Sequence, residues 1–188
     1  CRDMGNGKIR AVGMAMAMQG SSISGIDVAS VAMKVNDDGF YSLMIGASDM
    51  GTGCDTILAQ MAADCMDCSV DDIVVHGVDT DISPYDSGSY ASSTTYLTGM
   101  AVVRTCEKLR KKIIERAAVY LECVPEELEF DGKIVSNEDG SKSISLKDIG
   151  NKIMCFSDES LMASDTQTSP VSPPPYMAGI AEIEIDKE

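Results

Sequence analysis

Asn36-Asp37-Asp38-Gly39 separates two stretches that read as strands, and this junction constrains the fold more than any other feature of the chain. Before it, Ala29, Val31, Met33 and Val35 alternate with Val28, Ser30, Ala32 and Lys34, a half-buried strand over 28–35. After it, Phe40 to Ile45 supplies the returning strand, so the quartet closes an antiparallel hairpin. A sheet with one apolar face must be covered, and the sequence that follows supplies helices. Gly51-Thr52-Gly53 leads into a helix with Ile57, Leu58, Met61, Ala62 and Cys65 on one face. A long helix begins at Thr94, with Leu109, Ile113, Ala117 and Leu121 at four-residue spacing, and Pro125 follows its end.

The remaining segments fit between these. Residues 9–18 are small and apolar and predict a buried strand; Ile73-Val74-Val75 predicts a short buried one. Leu128 to Val135 reads as a small hairpin around Asp131-Gly132, Leu146 to Met154 as a short helix, and Met177 to Ile185 as a last alternating strand. The runs Cys68–Val75 and Cys123–Phe130 echo each other: cysteine, two residues, two acids, then an apolar strand start, each after a helix. Strands followed by helices interleaved with strands predict an α+β fold, a two-layer sandwich of helices on a mixed sheet.

Two small-residue loops, Gly51-Thr52-Gly53 and Ala91-Ser92-Ser93-Thr94, each run into a helix start. Free backbone N–H groups and the positive end of the helix dipole make such a loop an anion cradle. Two cradles would grip one elongated, phosphate-bearing ligand from two sides. The net charge of −15 and pI near 4.3 exclude nucleic acid as a partner and require the phosphate to be held by backbone groups, not by Lys or Arg. No apolar run is long enough to span a bilayer, so no membrane partner is expected.

Other candidate chemistries fail on composition or spacing. Asp79, Asp81, Ser83 and Asp86 resemble a calcium loop, but Pro84 stands where glycine is needed and Tyr90 where a bidentate Glu is needed. The loop over 79–93 is read instead as the support of the Ala91–Thr94 cradle. Cys65-Met66-Asp67-Cys68 lacks further zinc ligands, since His76 is the single histidine, and it sits at a helix end where a redox pair gains nothing. Seven scattered cysteines predict reduced thiols and a cytoplasmic protein. His76 has no nucleophile beside it in sequence, the methionines read as core filler, and the basic run Lys108–Lys112 as a solvated helix face.

With these pieces in order, the chain resembles the molybdopterin-binding subunit of the xanthine dehydrogenase/aldehyde oxidase family of molybdenum hydroxylases. The matching residues run from the strand ending Met18-Gln19-Gly20 through the Asp37-Asp38-Gly39 hairpin to Ile45–Gly53 and its Thr56/Gln60/Ala63 helix. They continue with Val78-Asp79-Thr80-Asp81, the loop Asp86–Thr95, and Gly99-Met100-Ala101-Val102. The resemblance implies a partial cofactor-binding domain over 1–168, a Pro/Ser linker over 169–176, and the start of a further strand over 177–188. It implies that Gly51, Thr52, Gly53 and Ala91, Ser92, Ser93 and Thr94 contact a pyranopterin and its phosphate or dinucleotide, with Gln19 and Gly20 as neighbours. The parent enzyme would carry molybdenum, hydroxylate a purine or aldehyde with oxygen from water, and pass electrons to iron–sulfur and FAD subunits or domains. Where the family has Gln between the two glycines, this chain has the shorter Thr52. The family's active-site glutamate and most of its substrate pocket fall outside these residues. No catalytic residue and no direct metal ligand are therefore expected here. The chain is read as an excised piece, empty of cofactor, inactive by itself, and prone to self-association through surfaces that the remainder of the large subunit would cover. The competing reading is a non-catalytic remnant or interaction domain that kept the fold and lost the cofactor.

Overall fold

The computed structural model describes residues 1–156 and 159–186. Its main sheet joins β3 (Val28–Val35), β4 (Tyr41–Ile45), β5 (Ile73–His76) and β9 (Met162–Thr168) in the order β5-β4-β3-β9. The remaining elements, in chain order, are β1 (Arg2–Asp3), β2 (Lys8–Met18), α1 (Cys54–Met66), α2 (Thr94–Leu121), β6 (Leu128–Phe130), β7 (Ile134–Asn137), β8 (Ser143–Ser145), α3 (Leu146–Phe156) and β10 (Tyr176–Asp186). The β3–β4 pair is the expected hairpin, with Val35 opposite Tyr41 and Val31 opposite Ile45. β9 extends the sheet antiparallel beyond β3, while β5 lies parallel to β4, so the sheet is mixed.

α1 and α2 cover one face of this sheet and give the α+β two-layer sandwich. Leu58 and Met66 of α1 and Val102, Leu109 and Ile113 of α2 are almost wholly buried against Val31, Met33, Leu43 and Ile45. Each such side chain contributes about 1.5–3 kcal/mol relative to exposure. Ala117 is buried with them, while Leu121 is only half-buried at the helix end. Gly99 admits the flexible end of Met61 where the two helices cross.

The echo between Cys68–Val75 and Cys123–Phe130 is a structural repeat. Each helix closes on a left-handed residue, Asp67 (φ 58°) or Glu122 (φ 52°), then makes one 3-10 turn and enters a strand. Left-handed caps of this kind bond the last helical carbonyls, here Ala63 O and Ala118 O. β5 joins the main sheet, whereas β6 opens a small antiparallel sheet with β7 and β8.

Two expectations need correction. The strand over 9–18 forms as β2, but it is not buried. It pairs along its whole length with β10, from Met18 opposite Tyr176 to Lys8 opposite Asp186, in a ribbon that leaves both faces open. Small apolar residues suit a two-faced burial, yet no other described element covers this ribbon. Val74 in β5 is likewise exposed, although Ile73 is buried. The strand β9 went unpredicted because its sequence, Met-Ala-Ser-Asp-Thr-Gln-Thr, is polar and only Ala163 is buried. Residues 169–175 lie outside helix and strand but are tied down: Gly25 N–H donates to Ser169 O and Ser21 N–H to Pro173 O, both at 2.9 Å. None of the helices is long and apolar enough to cross a membrane among the described residues.

Candidate functional site

Two helix starts face the site, and they differ in charge. At α1, Gly51 (φ 100°) and Gly53 (φ 74°) adopt conformations that L side chains rarely take. Their N–H groups converge on the Asp49 carboxylate, Oδ1 accepting from Gly51 at 2.8 Å and from Gly53 at 3.2 Å. These bonds hold the Asp49 pKa below the ordinary value. The cradle read from Gly51-Thr52-Gly53 is thus filled by an anion of the chain itself. Cys54 and Asp55 place their ligand atoms within 4.8 Å of Asp49. Burial, then the charges of Asp55 and Asp49, push the Cys54 thiol up, so this cluster stands as two carboxylates beside a protonated thiol.

At α2 nothing of the kind happens. Ala91 (φ 50°) and Ser92 (φ 56°) are consecutive left-handed residues, and Ser93 caps the helix without a side-chain bond. Ser22 N–H donates to Ala91 O at 2.8 Å, Ser93 N–H to Tyr90 O at 3.1 Å, and Leu97 N–H to Ser93 O at 2.7 Å. The N–H groups of Thr94, Thr95 and Tyr96 have no hydrogen-bond partner among the described residues, and the first turn holds no acid. This end keeps its full donor set and its positive dipole.

The two starts open on one cleft of about 490 Å³, lined by Gln19, Met50, Thr52, Cys54, Ser89, Tyr90 and Ala91 to Thr95. Of the residues predicted from sequence, Gln19, Thr52, Ala91, Ser92, Ser93 and Thr94 share this cleft. Gly20, Gly51 and Gly53 do not line it. Gly20 accommodates the segment after β9, since a Cβ there would sit 2.3 Å from Ser172 Oγ. Met50, Cys54, Ser89, Tyr90 and Thr95 were missed; all but Ser89 directly flank a predicted loop residue. No Lys, Arg or His lines the cleft, so an anion there is held by neutral donors.

The loop over 79–93 braces the cleft as expected. Asp79 and Ser83 bond within the loop instead of aiming at a cation: Asp81 N–H donates to Asp79 Oδ1 at 3.0 Å and Asp79 N–H to Ser83 Oγ at 2.9 Å. Asp86 accepts from Gly88 N–H at 2.8 Å and from the Thr98 hydroxyl at 3.1 Å, linking loop to α2. Gly46 lets Pro84 approach so closely that a Cβ would lie 2.2 Å from its carbonyl oxygen. Elsewhere, all seven cysteines are free thiols. Burial pushes Cys68 up to about 11 and Cys106 up to about 12, which makes them inert packing groups. His76 ends β5 at the surface, opposite Met44.

The sequence matches the molybdopterin cofactor-binding domain over residues 2–188. It is 34% identical over 93% of its length to the probable hypoxanthine oxidase XdhD of Escherichia coli, of which it covers 18%. It is 33% identical over 64% of its length to the xanthine dehydrogenase molybdenum-binding subunit of Escherichia coli, of which it covers 16%. The chain therefore spans less than a fifth of these relatives. The fold matches quinoline 2-oxidoreductase from Pseudomonas putida 86 with a TM-score of 0.79, at 20% identity over 97% of this chain and 25% of that one. CO dehydrogenase from Oligotropha carboxidovorans matches with a TM-score of 0.78, at 23% identity over 95% of this chain and 24% of that one. The chain belongs to the molybdopterin cofactor-binding domains of the xanthine dehydrogenase/aldehyde oxidase family of molybdenum hydroxylases.

Proposed function

We propose that the cleft between Thr52 and the Ala91–Thr95 turn holds molybdopterin, as the pterin phosphate or a dinucleotide, within a purine-hydroxylating enzyme of the xanthine dehydrogenase type. One observation carries this reading: the start of α2 presents an unfilled set of N–H donors in the same cleft as Gln19 and Thr52. The residues present fit such a group. The phosphate would meet the N–H groups of Thr94 to Tyr96 and the hydroxyls of Ser92 and Thr94, and not the α1 end, where Asp49 already sits. Gln19 and the Thr52 hydroxyl offer donors and acceptors for the polar edges of a pterin. The 33–34% identity to relatives named for hypoxanthine and xanthine supports a purine as substrate.

When bound, the cofactor supplies two-electron redox chemistry with water-derived oxygen. The chain's own residues bind, orient and exclude water; none of them takes a catalytic role. Catalysis belongs to the whole cytoplasmic enzyme, with the remainder of the large subunit and its iron–sulfur and FAD partners, and these residues alone are inactive.

Thr94→Glu in the full-length protein tests the reading. An acid at the first helical position favours the helix, so the fold is kept. A carboxylate about 4 Å from a bound phosphate costs about 1 kcal/mol in water and about 4 kcal/mol at an effective dielectric of 20. Affinity then falls between roughly fivefold and a thousandfold. Molybdenum and pterin content of the purified protein should drop accordingly. Wild-type content in the Glu variant refutes the placement, and a wild-type protein that never takes up molybdenum favours the cofactor-less remnant.

A further inference from the structure

We infer that Ser172 is a positioning residue for the cleft: its hydroxyl fixes the left-handed backbone of Ser22, and Ser22 holds the Ala91–Ser92 turn of the cleft wall. This role concerns the shape of the turn and stands whatever the cleft binds. It begins in the run Ser172-Pro173-Pro174-Pro175. Each proline ring fixes its own φ, and a residue before proline is confined to extended backbone, so these four residues form a stiff strap. Proline has no N–H to donate, but its carbonyl accepts. Ser21 N–H donates to Pro173 O at 2.9 Å and Gln19 N–H to Pro175 O at 3.4 Å. The strap therefore runs along residues 19–21, and Gln19 lines the cleft.

Ser172 opens the strap. Its Oγ donates to Ser22 O at 2.8 Å and shares that proton with Ser21 O at 3.3 Å. These carbonyls belong to the two peptide planes that meet at the Ser22 Cα. Each plane is rigid, so one hydroxyl seated on both oxygens restrains the φ and ψ of Ser22 together. Ser22 needs that restraint, because its φ of 66° persists only where the surroundings over-determine it. Its side chain is held from the same strap: Ser169 Oγ donates to Val171 O at 2.5 Å and so accepts from Ser22 Oγ at 2.5 Å. Gly20 completes the seat, since a Cβ there would overlap Ser172 Oγ. Gly20 is not among the positive-φ residues, so the hydroxyl alone calls for glycine at this position.

The first of those planes reaches the cleft directly. Its oxygen, Ser21 O, faces Ser172; its N–H, that of Ser22, points the opposite way across the trans peptide and donates to Ala91 O at 2.8 Å. A bond at one end of an amide polarises it and strengthens the bond at the other. Ala91 and Ser92 are two successive left-handed residues without glycine, a strained pair that depends on outside support. Beyond them Ser93 N–H donates to Tyr90 O and α2 begins. A Ser21–Ser22 plane free to turn would release Ala91 O and let the pair relax, carrying the Ser92 and Thr94 hydroxyls with it. The Ser172 side chain thus acts on the cleft wall through one peptide group.

The test is residue-resolved hydrogen exchange on the full-length protein without cofactor, reading the Ser22 and Ser93 amides, whose acceptors are Ala91 O and Tyr90 O. Ser172→Ala removes one hydroxyl from an exposed residue. Both amides should exchange about fivefold faster, the scale of one lost neutral hydrogen bond, while the β4 amides stay as they were. Ser172→Thr, which keeps the hydroxyl, should exchange like wild type. Gly20→Ala drives the hydroxyl off its seat and should accelerate the same two amides. Adding Ser172→Ala relieves that clash, leaving the new Cβ at an ordinary 3.5 Å from the Cβ of residue 172, but does not bring the donor back. The double variant should therefore stay as fast as Ser172→Ala alone. A double variant that returns to wild-type exchange would mean that Ser172 only fills space, and overturns the inference. Unchanged Ser22 and Ser93 amides in Ser172→Ala, fast ones in Ser172→Thr, or equal acceleration across β4 overturn it as well. Should Gly20→Ala fail to fold, the Ala and Thr variants of Ser172 decide alone. Exchange is read without cofactor, so an error in the cofactor placement leaves these outcomes unchanged.

Discussion

Gly46→Ala is the sharpest probe of how the cleft wall is held. A Cβ at this position would meet Pro84 O at 2.2 Å, Asp86 Cβ at 2.8 Å and Asp86 N at 3.1 Å. The carbonyl would have to retreat about 1.2 Å to reach ordinary contact. It is not free to do so. Ser30 N–H donates to Tyr85 O at 2.8 Å, Ser87 N–H to Val28 O at 2.9 Å, and the Thr98 hydroxyl to Asp86 Oδ2 at 3.1 Å. A shift of that size stretches two or three of these bonds beyond useful length. At about 1 kcal/mol net for each stretched bond, a loss that falls within the usual overpacking range of about 1–3 kcal/mol, the variant should lose about 2–3 kcal/mol. Gly46 is not among the positive-φ residues, so backbone strain adds nothing and the loss is steric. Urea unfolding followed by circular dichroism reads it directly, with a melting shift of roughly 5–10 °C for a domain of this size. A variant within about 0.5 kcal/mol of wild type would show that Gly46 does not hold the loop.

Asp49→Ala should empty the α1 cradle: the freed Gly51 and Gly53 N–H groups would then bind phosphate, seen as a phosphate-dependent rise in melting temperature absent from wild type. Asp49, Asp131 and Asp139 all have pKa values lowered by turn hydrogen bonds, chiefly from Gly51, from Ile134 and from Ser141. Their folded values lie below their unfolded ones, so their stabilisation is complete above the ordinary carboxylate pKa and is lost as pH falls through the folded values. Asp131→Asn should therefore show a shallower loss of stability below about pH 4 than wild type, and an equally steep acid limb would count against the assignment. The isolated chain should self-associate through the β2–β10 ribbon, where Met14, Met16, Met18 and Ile180 are each more than 60% exposed. Met16→Lys with Ile180→Lys should restore a monomer by size exclusion, and a wild-type chain that stays monomeric at high concentration defeats the idea.

What was legible in the sequence was periodicity and punctuation. Val28 to Ile45 announced a hairpin because its alternation and its Asn-Asp-Asp-Gly turn are local facts. The helix starts at Cys54 and Thr94 were visible for the same reason. Burial was not local. Met14, Met16 and Met18 look like core residues, yet their exposure is set by what lies across the ribbon. β9 escaped because an edge strand beside the Arg104 and Lys108 side chains needs no apolar alternation; Asp165 pairs with both at 3.1 Å. Within the site, the two loops were readable as helix starts, but the carboxylate filling one of them was not. Asp49 is two residues from Gly51 in an ordinary Asx turn, and such turns are indistinguishable from an open cradle until the chain direction is known.

That difference between the two loops explains how a chain of net charge −15 can hold an anionic ligand at all. Net charge acts over a Debye length of about 8 Å in physiological salt, so a group pressed against a helix end responds to the charges immediately around it. At the α1 end the local charge is negative, with Asp49 and Asp55 in place; at the α2 end it is positive, with no acid in the first turn. The cleft therefore has a polarity along its length. On the proposed placement, a ligand with one phosphate should enter with that phosphate toward Thr94 and its uncharged part toward Thr52 and Gln19, because the reverse orientation sets phosphate against Asp49. The same asymmetry predicts weak dependence of binding on salt, since no Lys or Arg of the cleft wall gives up a counterion. Exchanging the polarity, by Asp49→Ala together with Thr94→Glu, should turn a bound phosphate end for end, whereas a ligand placed by its uncharged part alone would stay where it was.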